Sequence, residues 1–137
     1  MGLIFRWGLG AGAAIAVVDI LAGEVMRGLT DTDLAAAIEL VDLLVNLALF
    51  GLAAHRVAAA LGELRAGLEA AVLAGLVAGL ASVAYQLARV AGPSSVESVS
   101  LLALNVVLAA AAGALGAWTG SSARREPPPG ARQNPGR

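Results

Sequence analysis

The sequence contains four long apolar segments, each close to the length of about 20 residues that spans the hydrocarbon core of a membrane as a helix. The chain of 137 residues is 58% hydrophobic and only 14% charged. So few charged residues would not cover these segments in water. We therefore predict an all-α, polytopic membrane protein with four transmembrane helices, at residues 3–23, 34–56, 66–90 and 96–119.

Residues that start or end helices separate the four segments. Thr30-Asp31-Thr32-Asp33 is rich in residues that cap helix N-termini, and Gly62 is a natural C-terminal stop. Gly92-Pro93 breaks the helical pattern, and Ser94-Ser95-Val96-Glu97 has the spacing of a capping box. Because each connection is short, adjacent helices should run antiparallel, which predicts an up-down-up-down bundle.

The bundle is expected to occupy residues 1–120, and residues 121–137 form a different kind of segment. This tail is rich in Arg, Pro and Gly, with three successive prolines in its middle. Such a composition cannot bury a core, so we expect a disordered tail on the cytoplasmic side.

The arginines indicate how the bundle is oriented. One end would carry Arg6, Arg56, Arg65 and the four arginines of the tail, whereas the other end would carry Arg27 and Arg89. The positive-inside rule then predicts that both termini are cytoplasmic, and Trp7 and Trp118 would lie at the same interface. All nine basic residues are Arg, and Ala and Gly are abundant, which suggests a GC-rich bacterial genome and a multi-pass protein of the inner membrane.

Polar residues interrupt three of the four apolar segments. Asp42 and Asn46 share one helix face with Glu39, and Asp19 and Asn105 lie in the first and fourth segments. With a rise of about 1.5 Å per residue, Asp19, Asp42, Asn46 and Asn105 fall in one layer about 15 to 21 Å above the cytoplasmic boundary. Two carboxylates at that depth cannot both be ionised cheaply, so we expect Asp19 and Asp42 to share a proton and to bond to the two asparagines. The layer is either a site for protons or cations, or a polar network that fixes helix register.

Glu39 lies nearer the outer surface than this layer. Arg89 and Tyr85 of the third segment are at a similar level, and helical side chains tilt towards the helix N-terminus. We therefore expect an ion pair of Glu39 with Arg89 at the outer rim, with Tyr85 beside it.

The third segment also carries small residues at every fourth position, a spacing that lets another helix backbone approach closely. Pairs with the same spacing, Gly8/Gly12 and Gly116/Gly120, are common by chance in a chain this rich in glycine. The predicted helix-packing set is Gly67, Ala71, Gly75 and Gly79.

No catalytic signature is present. The sequence has no cysteine, no phosphate-binding loop and no nucleophile motif, and its single histidine, His55, has no metal-ligating residues nearby. We expect no enzyme activity, no cofactor, no metal and no nucleic-acid partner. The leading interpretation is a structural or accessory protein that acts in the lipid bilayer through a membrane-protein partner or a second copy. The alternative is a minimal proton- or cation-coupled transporter that uses the Asp19/Asp42 pair.

Overall fold

The computed structural model describes residues 2–89 and 95–123, with the side chains of Ser95 and Glu97 excepted. Within these ranges the chain is all-α, as predicted, and contains no strand. The helices are α1 (Gly2–Arg27), α2 (Thr32–Leu61), α3 (Leu64–Arg89) and α4 (Ser95–Ala123). By length and composition, each of the four could cross a membrane.

The ends of α2 show why this helix starts and stops where it does. The Asp31 side chain accepts hydrogen bonds from the backbone N–H groups of Asp33 and Leu34, at 2.9 and 3.2 Å, and so caps the first turn. Gly62 has a φ of 74°, a left-handed conformation that favours glycine, and its N–H donates to the Ala58 carbonyl. The helix therefore ends at Leu61, as the predicted stop at Gly62 requires, and continues past the membrane span predicted at 34–56.

The fourth helix also extends beyond its predicted span. It continues to Ala123, three residues past the predicted end of the bundle at residue 120. The predicted break at Gly92-Pro93, Ser94 of the predicted capping box and the remaining tail, residues 124–137, lie outside the described residues.

The interior is built from small residues. Among the described residues, the buried hydrophobic ones are almost all alanines, and the only large side chains that are fully buried are Phe50, Ile15 and Val57. Large apolar side chains lie instead on the outside, where Leu80 and Leu115, for example, are each more than half exposed. Helices with small interior residues approach closely and gain van der Waals contact.

Two glycine pairs bring helices together. On α1, an added Cβ atom would lie 2.7 Å from Leu73 Cδ2 at Gly8 and 2.7 Å from the Ala74 carbonyl oxygen at Gly12. On α4, Cβ atoms at Gly116 and Gly120 would overlap carbonyl oxygens of α2. These glycines therefore allow backbone contact of α1 with α3 and of α4 with α2.

The small-residue face predicted on α3 is covered by α2 and α4. A Cβ atom at Gly67 would lie 2.5 Å from the Ala54 carbonyl oxygen, and one at Gly75 would lie 2.6 Å from Ala109 Cβ. Gly79 lies against Leu102 of α4, and Ala71 is fully buried.

The bundle has a packed half and an open half. The packed half comprises residues 2–16, 50–61, 64–79 and 109–123, and the open half comprises residues 19–27, 32–46, 82–89 and 95–105. All buried hydrophobic residues lie in the packed half, and Asn46 is the only buried one among the described residues of the open half. Every pair of helices is in contact in the described part of the chain except α1 and α4.

Candidate functional site

Asn46 connects the two aspartates at the border of the open half. Its Nδ2 donates to Asp19 Oδ1 on α1 at 2.7 Å and, more weakly, to Asp42 Oδ2 at 3.5 Å. Asp42 lies one helical turn before Asn46 on α2, which is why both side chains face α1. Only 7% of Asn46 is exposed, so the amide is buried between the two carboxyl groups.

Helix α3 contributes a third contact to this cluster. Ser82 Oγ donates to Asp19 Oδ2 at 3.3 Å. Asp19 therefore accepts hydrogen bonds from α2 through Asn46 and from α3 through Ser82, one on each carboxyl oxygen. Ser82 is not in the set predicted from the sequence, although it is the small polar residue that α3 offers at this depth.

A cavity of about 330 Å³ lies beside the cluster. Helices α1 and α2 contribute acidic and amide groups to its wall, and α3 and α4 contribute polar and leucine side chains. Its lining comprises Asp19, Ile20, Gly23, Arg27, Asp42, Leu43, Asn46, Ser82, Tyr85, Gln86, Leu101, Leu104, Asn105 and Leu108. This defines the acidic cavity.

Three buried polar atoms on the lining residues have no hydrogen-bond partner among the described residues. They are Asp42 Oδ1, Asn46 Oδ1 and the hydroxyl of Tyr85. Asn46 Oδ1 can accept hydrogen bonds but cannot donate them, and the same holds for Asp42 Oδ1 when Asp42 is ionised. All three atoms belong to residues that line the acidic cavity.

Asn105 lines the acidic cavity from α4 but does not bond to the aspartates. Its Nδ2 donates to the Leu101 carbonyl one turn earlier in the same helix, at 3.2 Å. The predicted layer therefore divides in the structure. Asp19, Asp42 and Asn46 form one hydrogen-bonded cluster, whereas Asn105 faces the same space without joining it.

The outer rim differs from its prediction. Arg89 Nη2 lies 2.8 Å from Glu24 Oε1, and Arg27 lies 3.5 Å from the same oxygen. Glu39 lies on an exposed face of α2 and forms no ion pair in the described ranges. The predicted Glu39–Arg89 pair is therefore replaced by Glu24–Arg89, because α1 reaches the same level as the end of α3 and presents Glu24 to it.

Tyr85 lies between the two arginines of this rim. The guanidinium carbons of Arg27 and Arg89 are 5.7 and 5.5 Å from the centre of its ring, within the range of cation–π contact. Since Tyr85 and Arg27 also line the acidic cavity, the rim and the cavity share a wall.

The chemistry available to the acidic cavity follows from its oxygen atoms. Two carboxyl groups, an amide oxygen and two hydroxyl groups are hard ligands that suit a proton, an ammonium group or an alkali cation. Two adjacent negative charges away from water are costly, so a proton or a cation should accompany them. The fold and the cavity together define a four-helix protein with an apolar outside and an acidic interior site.

Comparison with models of known protein families, with curated proteins and with solved structures finds no match for this chain.

Proposed function

We propose that this chain is a multi-pass membrane protein that works as a minimal proton- or cation-coupled transporter, with Asp19 and Asp42 as its ion-binding carboxyl groups. The observation that carries the proposal is the acidic cavity, where Asp42 Oδ1 and Asn46 Oδ1 are buried without a partner among the described residues. Asp19 and Asp42 exchange a proton for a cation, and the remaining polar side chains position that cation.

Membrane insertion is supported by where the apolar side chains lie. Four helices have spanning length, and their large side chains point outward while alanine and glycine fill the interior. A water-soluble bundle has the opposite arrangement, since its large apolar residues form the core. Lipid is the environment that suits such an outside.

The up-down-up-down topology is supported by the order of interhelical contacts. Asp19 bonds to Asn46, whereas Trp7, earlier in α1, packs near Val57, later in α2. The order of these contacts supports an antiparallel arrangement of α1 and α2. Gly12 lies against Ala74, and Asp19 bonds to Ser82, which is later in α3. The order of these contacts supports a parallel arrangement of α1 and α3.

We further propose that the protein lies in a bacterial inner membrane with both termini in the cytoplasm. Among the described residues, one end of the bundle carries Arg6, Arg56 and Arg65, whereas the opposite end carries Arg27 and Arg89. The positive-inside rule assigns the more positive end to the cytoplasm.

A transporter explains the unpartnered oxygens better than a purely structural network does. A network that only fixes helix register is stable when every member is satisfied, and each unsatisfied buried group costs free energy. Asp19 is fully engaged by Asn46 and Ser82, but Asp42 is not. An incoming cation would complete the coordination of Asp42 and the Asn46 oxygen.

A structural or accessory role is the second candidate, and a specific observation favours it. The bonds of Asn46 and Ser82 to Asp19 connect α1, α2 and α3 and would hold these helices in register. In this role the protein would act through a partner in the bilayer or a second copy, and the carboxyl groups would affect stability alone.

The test uses purified full-length protein in liposomes that contain a trapped pH-sensitive dye. Inward gradients of Na⁺, K⁺ or tetramethylammonium chloride are applied, and the exit of protons is recorded. At least one cation should drive proton exit from liposomes with the wild-type protein, and Asp19→Asn or Asp42→Asn should reduce that rate at least about tenfold because the exchangeable proton is removed.

The matched control is Asp33→Asn, which removes an exposed acidic residue from the first turn of α2, outside the acidic cavity. This variant should keep the wild-type rate. The transporter proposal would be refuted if no cation drove proton exit above that of protein-free liposomes. If Asp19→Asn and Asp42→Asn only lowered the thermal stability and left flux unchanged, the structural role would stand instead.

A further inference from the structure

A second cavity lies on the outside of the packed half, between α1 and α2, and the acidic cavity plays no part in it. Its volume is about 360 Å³. We infer that this groove binds one anionic phospholipid, with an acyl chain along the groove and the phosphate at Arg6 and Arg56. The lining residues are Arg6, Trp7, Gly10, Ala11, Ala14, Leu49, Leu52 and Ala53.

The groove has the shape and chemistry that suit a hydrocarbon chain. The α1 lining residues other than Arg6 and Trp7 are glycine or alanine, and at Gly10 nothing lies within 4 Å of the position that a Cβ atom would take. All lining residues of the groove except Arg6 are apolar. An acyl chain would gain van der Waals contact there without displacing a polar group.

Two arginines supply the positive charge at one end of the groove. Arg6 lines the groove one turn before Gly10, and Arg56 lies one turn after Leu52 on the same face of α2. Since contacts along α1 and α2 run in opposite order, both arginines lie at the same end of the groove. Guanidinium groups bind phosphate through parallel N–H···O bonds, and two of them fit one phosphodiester.

These two arginines differ from the others in the described part of the chain. Arg27 and Arg89 contact Glu24, and Arg65 bonds to Glu69 at 2.8 Å. Arg6 and Arg56 are exposed and have no acidic partner within residues 2–89 and 95–123. Their charge is therefore available to an external anion, and the apolar groove beside it selects an anion that carries a hydrocarbon chain.

Tryptophan fluorescence can test this proposal because Trp7 lines the groove. In a Trp118→Phe background, Trp7 is the only tryptophan of the chain. The protein is reconstituted in two kinds of phosphatidylcholine vesicle. One contains brominated phosphatidylglycerol and the other the same mole fraction of brominated phosphatidylcholine. Brominated acyl chains quench the fluorescence of a tryptophan in contact with them. The ratio of the two quenching efficiencies reports the preference for the anionic lipid.

We expect brominated phosphatidylglycerol to bind next to Trp7 about fivefold or more tightly than brominated phosphatidylcholine, since each arginine near a lipid phosphate contributes on the order of this factor. The double variant Arg6→Gln/Arg56→Gln should bring the ratio close to one. Ala14→Leu should lower quenching by both lipids, because the longer side chain fills the groove.

Arg65→Gln is the matched control, since it removes an arginine whose side chain already bonds to Glu69. It should leave the ratio unchanged. Equal quenching by the two lipids in the parent protein would overturn the proposal, and so would a loss of preference in Arg65→Gln as large as in the double variant, because the effect would then be one of overall charge. Loss of the preference on adding millimolar inorganic phosphate would show a free-anion site and would also overturn it.

Discussion

The packed half and the open half of this bundle are built from the same four helices but differ in what lies between them. In the packed half, glycines such as Gly12 and Gly116 place one helix backbone against the next. In the open half, Asp19, Asn46 and Ser82 hold the helices through side chains and leave a cavity of about 330 Å³. Tight packing in one half can therefore fix the helices while the other half keeps a polar cavity.

The two halves are also stabilised by different interactions. Contact between backbones in the packed half depends on van der Waals packing, which is lost when even one methyl group intrudes. Hydrogen bonds between side chains within a membrane contribute less, on average about 0.6 kcal/mol each. The two halves should therefore respond differently to substitution.

The largest effect on stability is expected at Gly116. A Cβ atom there would overlap the backbone carbonyl of Gly51, which cannot move aside as a flexible side chain can. Gly116→Ala should lower the free energy of unfolding by about 2 to 3 kcal/mol, measured by circular dichroism during titration with sodium dodecyl sulfate in mixed micelles.

The matched control is Gly23→Ala in the open half, where an added Cβ atom has nothing within 4 Å. This variant should be within about 1 kcal/mol of the parent, or more stable, because Ala favours a helix more than Gly does. If both variants unfolded at the same detergent fraction, the division into a packed and an open half would be wrong.

The helices could be predicted from the sequence more completely than the way they pack. Segment length and composition predict four helices, and Asp31 and Gly62 mark the ends of α2 by their chemistry. The glycine pairs are different, because Gly116/Gly120 has the same spacing as a chance pair in a glycine-rich chain. Spacing identifies a face that can be approached closely, but it does not identify the helix that approaches.

A medium effect is expected from the asparagine that connects the aspartates. Asn46→Ala removes the bond of 2.7 Å to Asp19 and leaves a partly buried carboxyl oxygen without its donor. The free energy of unfolding should fall by about 1 to 2 kcal/mol. Asn105→Ala is the control, because Asn105 bonds within its own helix. This variant should lower the free energy of unfolding by less than about 0.5 kcal/mol. Equal losses in the two variants would mean that the cluster does not connect α1 to α2.

The smallest effect is expected at the rim of the open half. A double-mutant cycle of Glu24→Gln and Arg89→Gln should give a coupling energy of about 0.5 kcal/mol, since both side chains are partly exposed and lie 2.8 Å apart. The corresponding cycle of Glu39→Gln and Arg89→Gln should give a coupling energy near zero. Stronger coupling of Arg89 to Glu39 than to Glu24 would contradict the arrangement of this rim.

The rim and the cluster show what depth along a helix can predict. Counting residues places Asp19, Asp42 and Asn46 at one level, and the structure brings all three within hydrogen-bonding distance. The same count places Glu39 near Arg89, but it does not say which face of α2 is turned outward. The face of a helix that is turned outward depends on which helices pack beside it. Those neighbours are determined by the packing of the packed half.

The proposed transporter requires that Asp19 and Asp42 exchange a proton for a cation in the acidic cavity. Infrared difference spectroscopy of the protein in lipid, recorded while Na⁺ or tetramethylammonium is added at constant pH, observes the C=O stretching band of a protonated carboxyl group directly. We predict that any cation that drives proton exit also removes this band, and that neither Asp19→Asn nor Asp42→Asn shows the change. A wild-type spectrum without any cation-dependent carboxyl band, or the same change in both variants, would contradict it.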